Sequence, residues 1–389
     1  MEKIKQVIRK NTMLLILIIV TLIFQFLITR SGSSSLFTPA NITNLISQNA
    51  YVVILSTGML LCILTGGNVD LSTGSMVALV GALAGTLIVR QGLNIHLSIF
   101  LCLIVGILLG AWQGFWIAYV NVPAFIATLA GMLTFRGFAW IILDGLTISP
   151  FPQSYLKYFN SFIPSNPEIR FVFTLTVGIL LSVTIFVVSL VFRLRKKSIG
   201  YKIISFSSFI VRKILISLVI IGASILLGKD KGIPAILIIL SIIVFVYHYF
   251  TSRTVYGRHL YAVGGNYQAA ALSGVNTKGI TFLAYTNMGF LSAITALVSV
   301  ARFNSAAPSA GSSYEMDAIA ACYIGGASAY GGIGTVRGAV IGGVFMGILN
   351  NGMSILGIDA NWQMAVKGFV LLAAVIFDVV SKNRVQVES

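Results

Sequence analysis

Apolar residues run along most of this chain without the polar interruptions that a soluble helix or strand needs for its water-facing side. Twelve such runs stand out against the ~20 residues that cross a bilayer. They lie near 13–29, 44–65, 71–89, 97–120, 123–143, 171–192, 214–228, 233–250, 279–301, 316–333, 338–357 and 362–380. Two are weaker than the rest. The run at 214–228 is short, and 316–333, "MDAIAACYIGGASAYGGI", is built of small residues and carries Asp317. Either suits a half-helix or a re-entrant piece, so the pattern predicts an all-α polytopic membrane protein with ten to twelve crossings. The polar stretches between runs are short. The longest, Asp144–Arg170 and Thr251–Lys278, are too small to bury cores of their own. Residues 1–389 therefore read as one transmembrane domain with an outer loop at 144–170 and an inner loop at 251–278.

Composition strengthens this reading. Of 389 residues, 57% are hydrophobic and only 9% charged, with a mean hydropathy of +0.96. Soluble domains carry about a quarter charged residues. The net charge of +16 would otherwise suggest nucleic acid, but in a membrane protein Lys and Arg collect in cytoplasmic loops. With twelve crossings and the N-terminus inside, seventeen Lys and Arg fall inside, seven outside, and only Arg136 and Lys367 within spans. Both termini are then cytoplasmic. The start, "MEKIKQVIRK" followed by "MLLILIIVTLIFQFLIT", has the outline of a cleavable signal, but its apolar run exceeds a typical signal core, so a retained first span is expected. Cys62, Cys102 and Cys322 are far apart in apolar runs, and His96, His248 and His259 are scattered. No metal-ligand pattern arises, and no metal is expected.

"TGGNVDLSTGSMVALVGALAG", Thr65–Gly85, sets Asp70 and several hydroxyls against small apolar residues. Asp70 can cap a helix start, accepting N–H bonds from Leu71 to Thr73, or it can line a polar path with Asn68, Ser72 and Ser75. This stretch is echoed by "GGIGTVRGAVIGGVFMG" at Gly331–Gly347. Paired Gly-rich breaks in two halves of a membrane protein point to a substrate path between pseudo-repeated halves. Neither stretch has the GK[ST] of a phosphate-binding loop, so a nucleotide driving this protein must sit on another chain. In the inner loop, "NYQAAALSGV" is short, helix-prone and amphipathic, and it ends at Gly274, which suits a helix stop. Such an element is fit to dock on a soluble partner.

"YGRHLYAVGGNYQAAALSGVNTKG", "GGNVDLSTGSMVALVGA" and "YIGGASAYGGIGTVRGAVIGG" resemble, in that order, the coupling region, the GG-x-DLS-x-GS segment and the C-terminal glycine segment of permease subunits of monosaccharide ABC importers, the ribose/xylose/galactose type. "GAWQGFWIAYVNVPAFIATLAGMLTFRG" is similar to the multiple-sugar and xylose members. The likeness spans most of Asn41–Val380. The basic-flanked stretch 193–250, longer than in ribose permeases, departs from it and bears on the span count. The resemblance implies a multi-pass protein of the bacterial inner membrane that imports a monosaccharide such as xylose by alternating access. It implies no catalytic residue and no cofactor on this chain. ATP-Mg would be bound by cytoplasmic ATPase subunits docked around Tyr256, Gly257, Arg258, Gly265, Asn266, Ala269, Leu272, Ser273 and Gly274. A second permease subunit, expected to be a copy of this chain, would complete the path, and an extracytoplasmic sugar-binding protein would deliver substrate.

A neutral sugar needs hydroxyl, amide and aromatic partners rather than fixed charge. Asn68, Ser72, Asn287, Asn304, Asn350 and Asn351 offer such groups near span ends, with Asp70, Ser75, Tyr285 and Tyr323 beside them. The alternative is an ion-coupled secondary transporter working without an ATPase. It needs a titratable relay, for which Asp70, Asp317, Asp378, Arg136 and Lys367 are the candidates. A membrane enzyme ranks last, for want of a catalytic pair or metal cluster.

Overall fold

The computed structural model describes residues 12–32, 35–201 and 205–387. The basic run at 1–10 and Lys202, both counted in the charge asymmetry, lie outside the described residues.

Helix starts follow capping chemistry. Thr38 accepts the Asn41 N–H at 3.3 Å, with Pro39 as the first residue of α2 (Pro39–Leu64). Asn276 accepts the Gly279 N–H at 2.9 Å and starts α12 (Thr277–Phe303). Between them in sequence come α3 (Thr73–Gly85, continued by a π-turn Thr86–Arg90), α4 (Ile95–Ala118), α5 (Ala124–Leu143), the short α6 (Gln153–Phe159), α7 (Pro167–Ser198), α8 (Phe206–Lys229), α9 (Ala235–Arg253), α10 (Val255–Gly265) and α11 (Tyr267–Leu272). The chain begins with α1 (Thr12–Arg30) and ends with α13 (Tyr314–Ile324), α14 (Val336–Ile355) and α15 (Ala360–Val387). Among the described residues, strands are confined to β1 (Phe162–Ile163) and β2 (Ile233–Pro234), paired antiparallel.

Among the described residues ten helices are long and apolar enough to cross a membrane: α1, α2, α3 with its π-turn, α4, α5, α7, α8, α9, α12 and α14. The short run 214–228 is the second part of the 24-residue α8. Arg212 and Lys213 break the apolar pattern there, yet the helix continues back through them to Phe206, and Phe209 lies under both Arg193 and Lys213 at 5.1 and 5.9 Å. The segment 316–333 is a half-helix. α13 stops at Ile324, where Gly325 and Gly326 follow and Gly326 takes a left-handed φ of 84°.

Two four-helix units of opposite direction form the centre. α2 and α12 cross antiparallel, with Arg302 bonded to the Gln48 carbonyl at one end and Cys62 near the Ala284 carbonyl at the other. α4 packs antiparallel on α12: Gly106 faces Ala293, Gly110 faces the Tyr285 carbonyl and Gly114 faces Phe282. α14 packs on α2 in the same manner, with Ser56 near the Ala339 carbonyl, Gly343 facing Val53 and Gly347 facing Asn49. At Gly110 and Gly347 a β-carbon would overlap the neighbouring helix. Small residues here let backbones approach closely, where lipid supplies no hydrophobic drive between helices. α5 packs on α3, and α15 packs on α13. The repeat therefore pairs α2–α5 with α12–α15.

This corrects the echo read from the sequence. That echo sets Gly66–Gly85 against Gly331–Gly347, but the counterpart of α3 is α13, and α14 corresponds to α4. The likeness is one of glycine-rich composition, which several breaks share. Correspondence is decided by which helix each one packs against.

The outer loop is ordered by pairing across the sequence. Ile148 bridges Ala306, β1 pairs with β2, and the fully buried Tyr155 donates its hydroxyl to the Leu297 carbonyl at 2.8 Å. α1, α7 and α8 bury few residues against the rest of the chain.

Candidate functional site

After α2 ends at Leu64 the chain turns at Gly66 and Gly67, both left-handed, and doubles back. The Asp70 N–H comes within 3.4 Å of Met59 Sδ, so residues 65–72 re-enter alongside the helix they have just left. α3 then starts inside the core. The other half does the same. Residues 304–313 follow α12, and α13 starts at Tyr314, whose ring stacks on Tyr51 at 3.7 Å, halfway along α2. α13 runs beside the remainder of α2, with Cys322 Sγ 3.2 Å from the Ser56 carbonyl.

The two broken helices thus begin in the middle of the bundle, and they meet. A β-carbon on Gly74 would strike the Gly311 carbonyl and the Glu315 carboxylate. Helix N-termini carry unpaired N–H groups and partial positive charge. Carboxylates gather where that chemistry favours them: Asp70 before α3, and Glu315 and Asp317 in the first turn of α13. Arg136 of α5 fixes the second re-entrant segment by donating to the carbonyls of Pro308 and Ala310 at 2.8 and 2.6 Å.

Asp70, Ser72, Ser75 and Tyr285 all lie at this junction, each fully or nearly fully buried. Asp70 Oδ1 accepts from the Ser72 N–H at 2.9 Å and the Ser72 hydroxyl at 2.6 Å. Ser72 is in turn bonded to Gln113 of α4, another fully buried side chain. Four polar atoms in this group have no hydrogen-bond partner among the described residues: Asp70 Oδ2, Ser75 Oγ, Gln113 Oε1 and Tyr285 Oη. An unmet buried polar atom costs about 1–3 kcal/mol, so their concentration at one place marks it as more than packing.

A second polar cluster borders the start of α13. Tyr51 and Asp317 share a short hydrogen bond, Lys367 of α15 pairs with Asp317 Oδ2 at 3.0 Å, and Asn350 lies 3.4 Å from both Tyr51 Oη and Asp317 Oδ2. Asp317 and Lys367, two members of the relay considered for an ion-coupled carrier, are thus closed on each other as an ion pair.

The other sequence candidates are placed elsewhere. Asn68 sits at the inner turn, 3.4 Å from the Thr65 carbonyl. Asn287 accepts from the Tyr247 hydroxyl and joins α12 to α9. Asn304 is left-handed at the end of α12 and accepts the Phe151 N–H at 2.8 Å, anchoring the outer loop. Asn351 exchanges two amide bonds with Asn41, at 2.9 and 3.0 Å. Tyr323 is buried near the inner end of α13. Tyr51, Gln113 and Glu315 were not singled out from the sequence. Gln113 left a signal, as a lone amide in the apolar run "GILLGAWQGFWIA".

The inner loop is two helices. Thr254 caps α10 through the Gly257 N–H at 3.1 Å, and Asn266 caps α11 through the Ala269 N–H at 2.9 Å. Gly274 takes a φ of 82° after α11, as its helix-stop role requires. α11 buries only Ala270; Leu272 is 91% exposed, and Tyr267 of the same helix and Tyr256 of α10 are exposed as well. Arg258 and Ser273 are also exposed. The other side of α10 is fixed to the re-entrant machinery. Gly264 abuts the Leu64 carbonyl and the Gly332 N–H, and Tyr261 donates to the Gly334 carbonyl at 2.9 Å. Gly332 N–H bonds the Leu64 carbonyl at 3.3 Å, so α10, the end of α2 and the segment after α13 form one contact.

The family model described as branched-chain amino acid transport system / permease component matches residues 41–375. The xylose transport system permease protein XylH of Escherichia coli is 35% identical over 96% of this chain and 93% of its own length. XylH of Haemophilus influenzae is 34% identical over 99% and 100%. The ribose import permease protein RbsC of Escherichia coli is 32% identical over 92% of each chain. No solved structure matches.

Proposed function

The chain belongs to the branched-chain amino acid transport system permease component family, and from that premise we propose that it is the membrane permease subunit of a sugar import system worked by ATP hydrolysed on a separate subunit. It is a multi-pass protein of the bacterial inner membrane. The observation that carries the mechanism is the contact of Gly264 with Leu64 and Gly332. One face of the inner-loop helices is apolar and open, while the other touches the inner ends of both broken-helix segments. A partner that grips Leu272, Tyr256 and Tyr267 and moves α10 would press on both segments at once.

In this reading the path follows the junction where α3 and α13 begin. Half-helix N-termini that meet in mid-membrane are the recurrent substrate site of transporters built from inverted repeats. Asp70, Ser72, Ser75 and Tyr285, with Gln113 added, are its polar groups, and Asn68 and Asn350 stand at its margins. Hydroxyls and amides suit a neutral, hydroxyl-rich sugar. Xylose and ribose, named for the relatives, are the first substrates to test. A second copy of the chain completes the path, an external binding protein loads it, and ATP-Mg stays on the ATPase. Differential binding of ATP to the partner supplies the bias between outward and inward states.

Cysteine labelling tests the docking face. Cys62, Cys102 and Cys322 are buried, so Leu272→Cys adds one reactive thiol. Maleimide labelling of that thiol in membranes should be suppressed when the cognate ATPase is co-expressed. A cysteine replacing the exposed Leu146 of the outer loop should label equally with and without it. Equal labelling of position 272 in both membranes would overturn the assignment.

A further inference from the structure

We propose that the permease carries a binding site for an anionic phospholipid, separate from the sugar path, in a groove between α2, α9 and α14. The groove encloses about 510 Å³ and is walled by apolar side chains, among them Leu45, Val53, Leu240, Val244 and Val340. Its inner end is different. Arg337, in the first turn of α14, and His248, in the last turns of α9, line the groove there. Arg337 Nη2 lies 3.2 Å from His248 Nε2. An arginine can only donate, so this nitrogen of the imidazole accepts, and the guanidinium makes no other hydrogen bond among the described residues.

No aspartate or glutamate lines the groove, and Arg337 forms no ion pair among the described residues. A cation held at the end of an apolar slot, at the cytoplasmic membrane boundary, lacks its counter-charge. An acyl chain fits the slot and a phosphodiester fits the cation. Basic pockets between membrane helices on this side recognise anionic headgroups, and guanidinium pairs with phosphate oxygens in a forked geometry. A second apolar groove of about 730 Å³ lies on the far side of α9, against α7 and α8. Both are lined by Leu237, Ser241 and Phe245, which gives the lipid's other chain a surface to follow. A free phosphate would use only the cation and leave the apolar wall unexplained, so the lipid is the occupant the whole groove fits.

The site is tested by native mass spectrometry of the purified full-length permease, titrated with phosphatidylglycerol or with phosphatidylcholine of the same acyl chains. Both lipids carry the phosphodiester, but the choline ammonium cancels its charge and repels the guanidinium, so retention of phosphatidylglycerol should exceed phosphatidylcholine by about fivefold. Arg337→Gln, an exposed position, should bring the two to parity. Ser241→Trp keeps both basic groups but fills the slot from the exposed face of α9, and should reduce retention of both lipids. Equal retention by the unaltered protein would overturn the proposal. So would a phosphatidylglycerol preference unchanged in Arg337→Gln, or glycerol 1-phosphate displacing the lipid as well as phosphatidylglycerol does. Sugar binding and docking of the ATPase are not needed for this readout, so its failure leaves the transport reading standing.

Discussion

Gly264 of α10 lies against the carbonyl of Leu64 at the end of α2, so closely that a β-carbon would overlap it. Its neighbour Gly265 has nothing within 4 Å of the same added atom. The pair forms a built-in control. Gly264→Val should abolish ATP-driven uptake and cost about 1–3 kcal/mol in overpacking. Gly265→Ala should insert, fold and melt as the unaltered chain does. Uptake by vesicles, with thermal melting of the purified variants, separates the two effects.

Leu272 makes the converse case. With 91% of its surface exposed, Leu272→Asp should leave stability within about 0.5 kcal/mol. It should nevertheless lower uptake by about tenfold or more, because a charge would be buried unpaired against the ATPase. Co-purification with the ATPase, measured beside the melting temperature, checks this.

The two glycine rows should respond alike. Gly110→Leu, between α4 and α12, and Gly347→Leu, between α14 and α2, each drive a side chain into a neighbouring helix. Each should destabilise by about 1–3 kcal/mol or more. Gly137→Leu, with open space around it, should be nearly neutral. Denaturation of the three variants in one detergent makes the comparison, and an unequal response of the two rows would count against the repeat.

Lys367 and Asp317 form a largely buried ion pair. Lys367→Met leaves Asp317 charged and unpaired, at a cost of about 3–5 kcal/mol, whereas Asp317→Asn combined with Lys367→Met should recover much of it. A double-mutant cycle of thermal stability measures the coupling. At the other broken helix, Asp70→Asn keeps an acceptor for the Ser72 N–H, while Asp70→Ala removes it and should cost about 1–3 kcal/mol. If these two variants melt together, the Ser72 N–H bond to Asp70 does not brace the turn into α3.

The helices that cross were legible in the sequence because a bilayer demands ~20 apolar residues in a row, and the runs around Pro39–Leu64 or Thr277–Phe303 meet that demand locally. The short helix of the inner loop was legible for a similar reason: Asn266 and Gly274 mark its ends within nine residues. The Asp70–Ser72 bond spans two positions and could be anticipated from the cap alternative. Tyr51 and Asp317 are 266 residues apart, and no local pattern joins them. Gln113 reaches Ser72 only because α4 packs beside the start of α3. The repeat was visible but misaligned, since a glycine-rich break looks the same whichever helix follows it. Packing of α14 on α2, and of α4 on α12, supplies the register that composition lacks.

The central claim is that this chain is a gate moved by a partner's ATP hydrolysis. Its most direct test is radiolabelled xylose or ribose uptake by vesicles holding the purified permease, with the cognate ATPase and binding protein added or omitted. Accumulation should require ATP and both partners, and an imposed proton or sodium gradient should drive none in the chain alone. Uphill uptake by the chain alone under such a gradient would contradict the account.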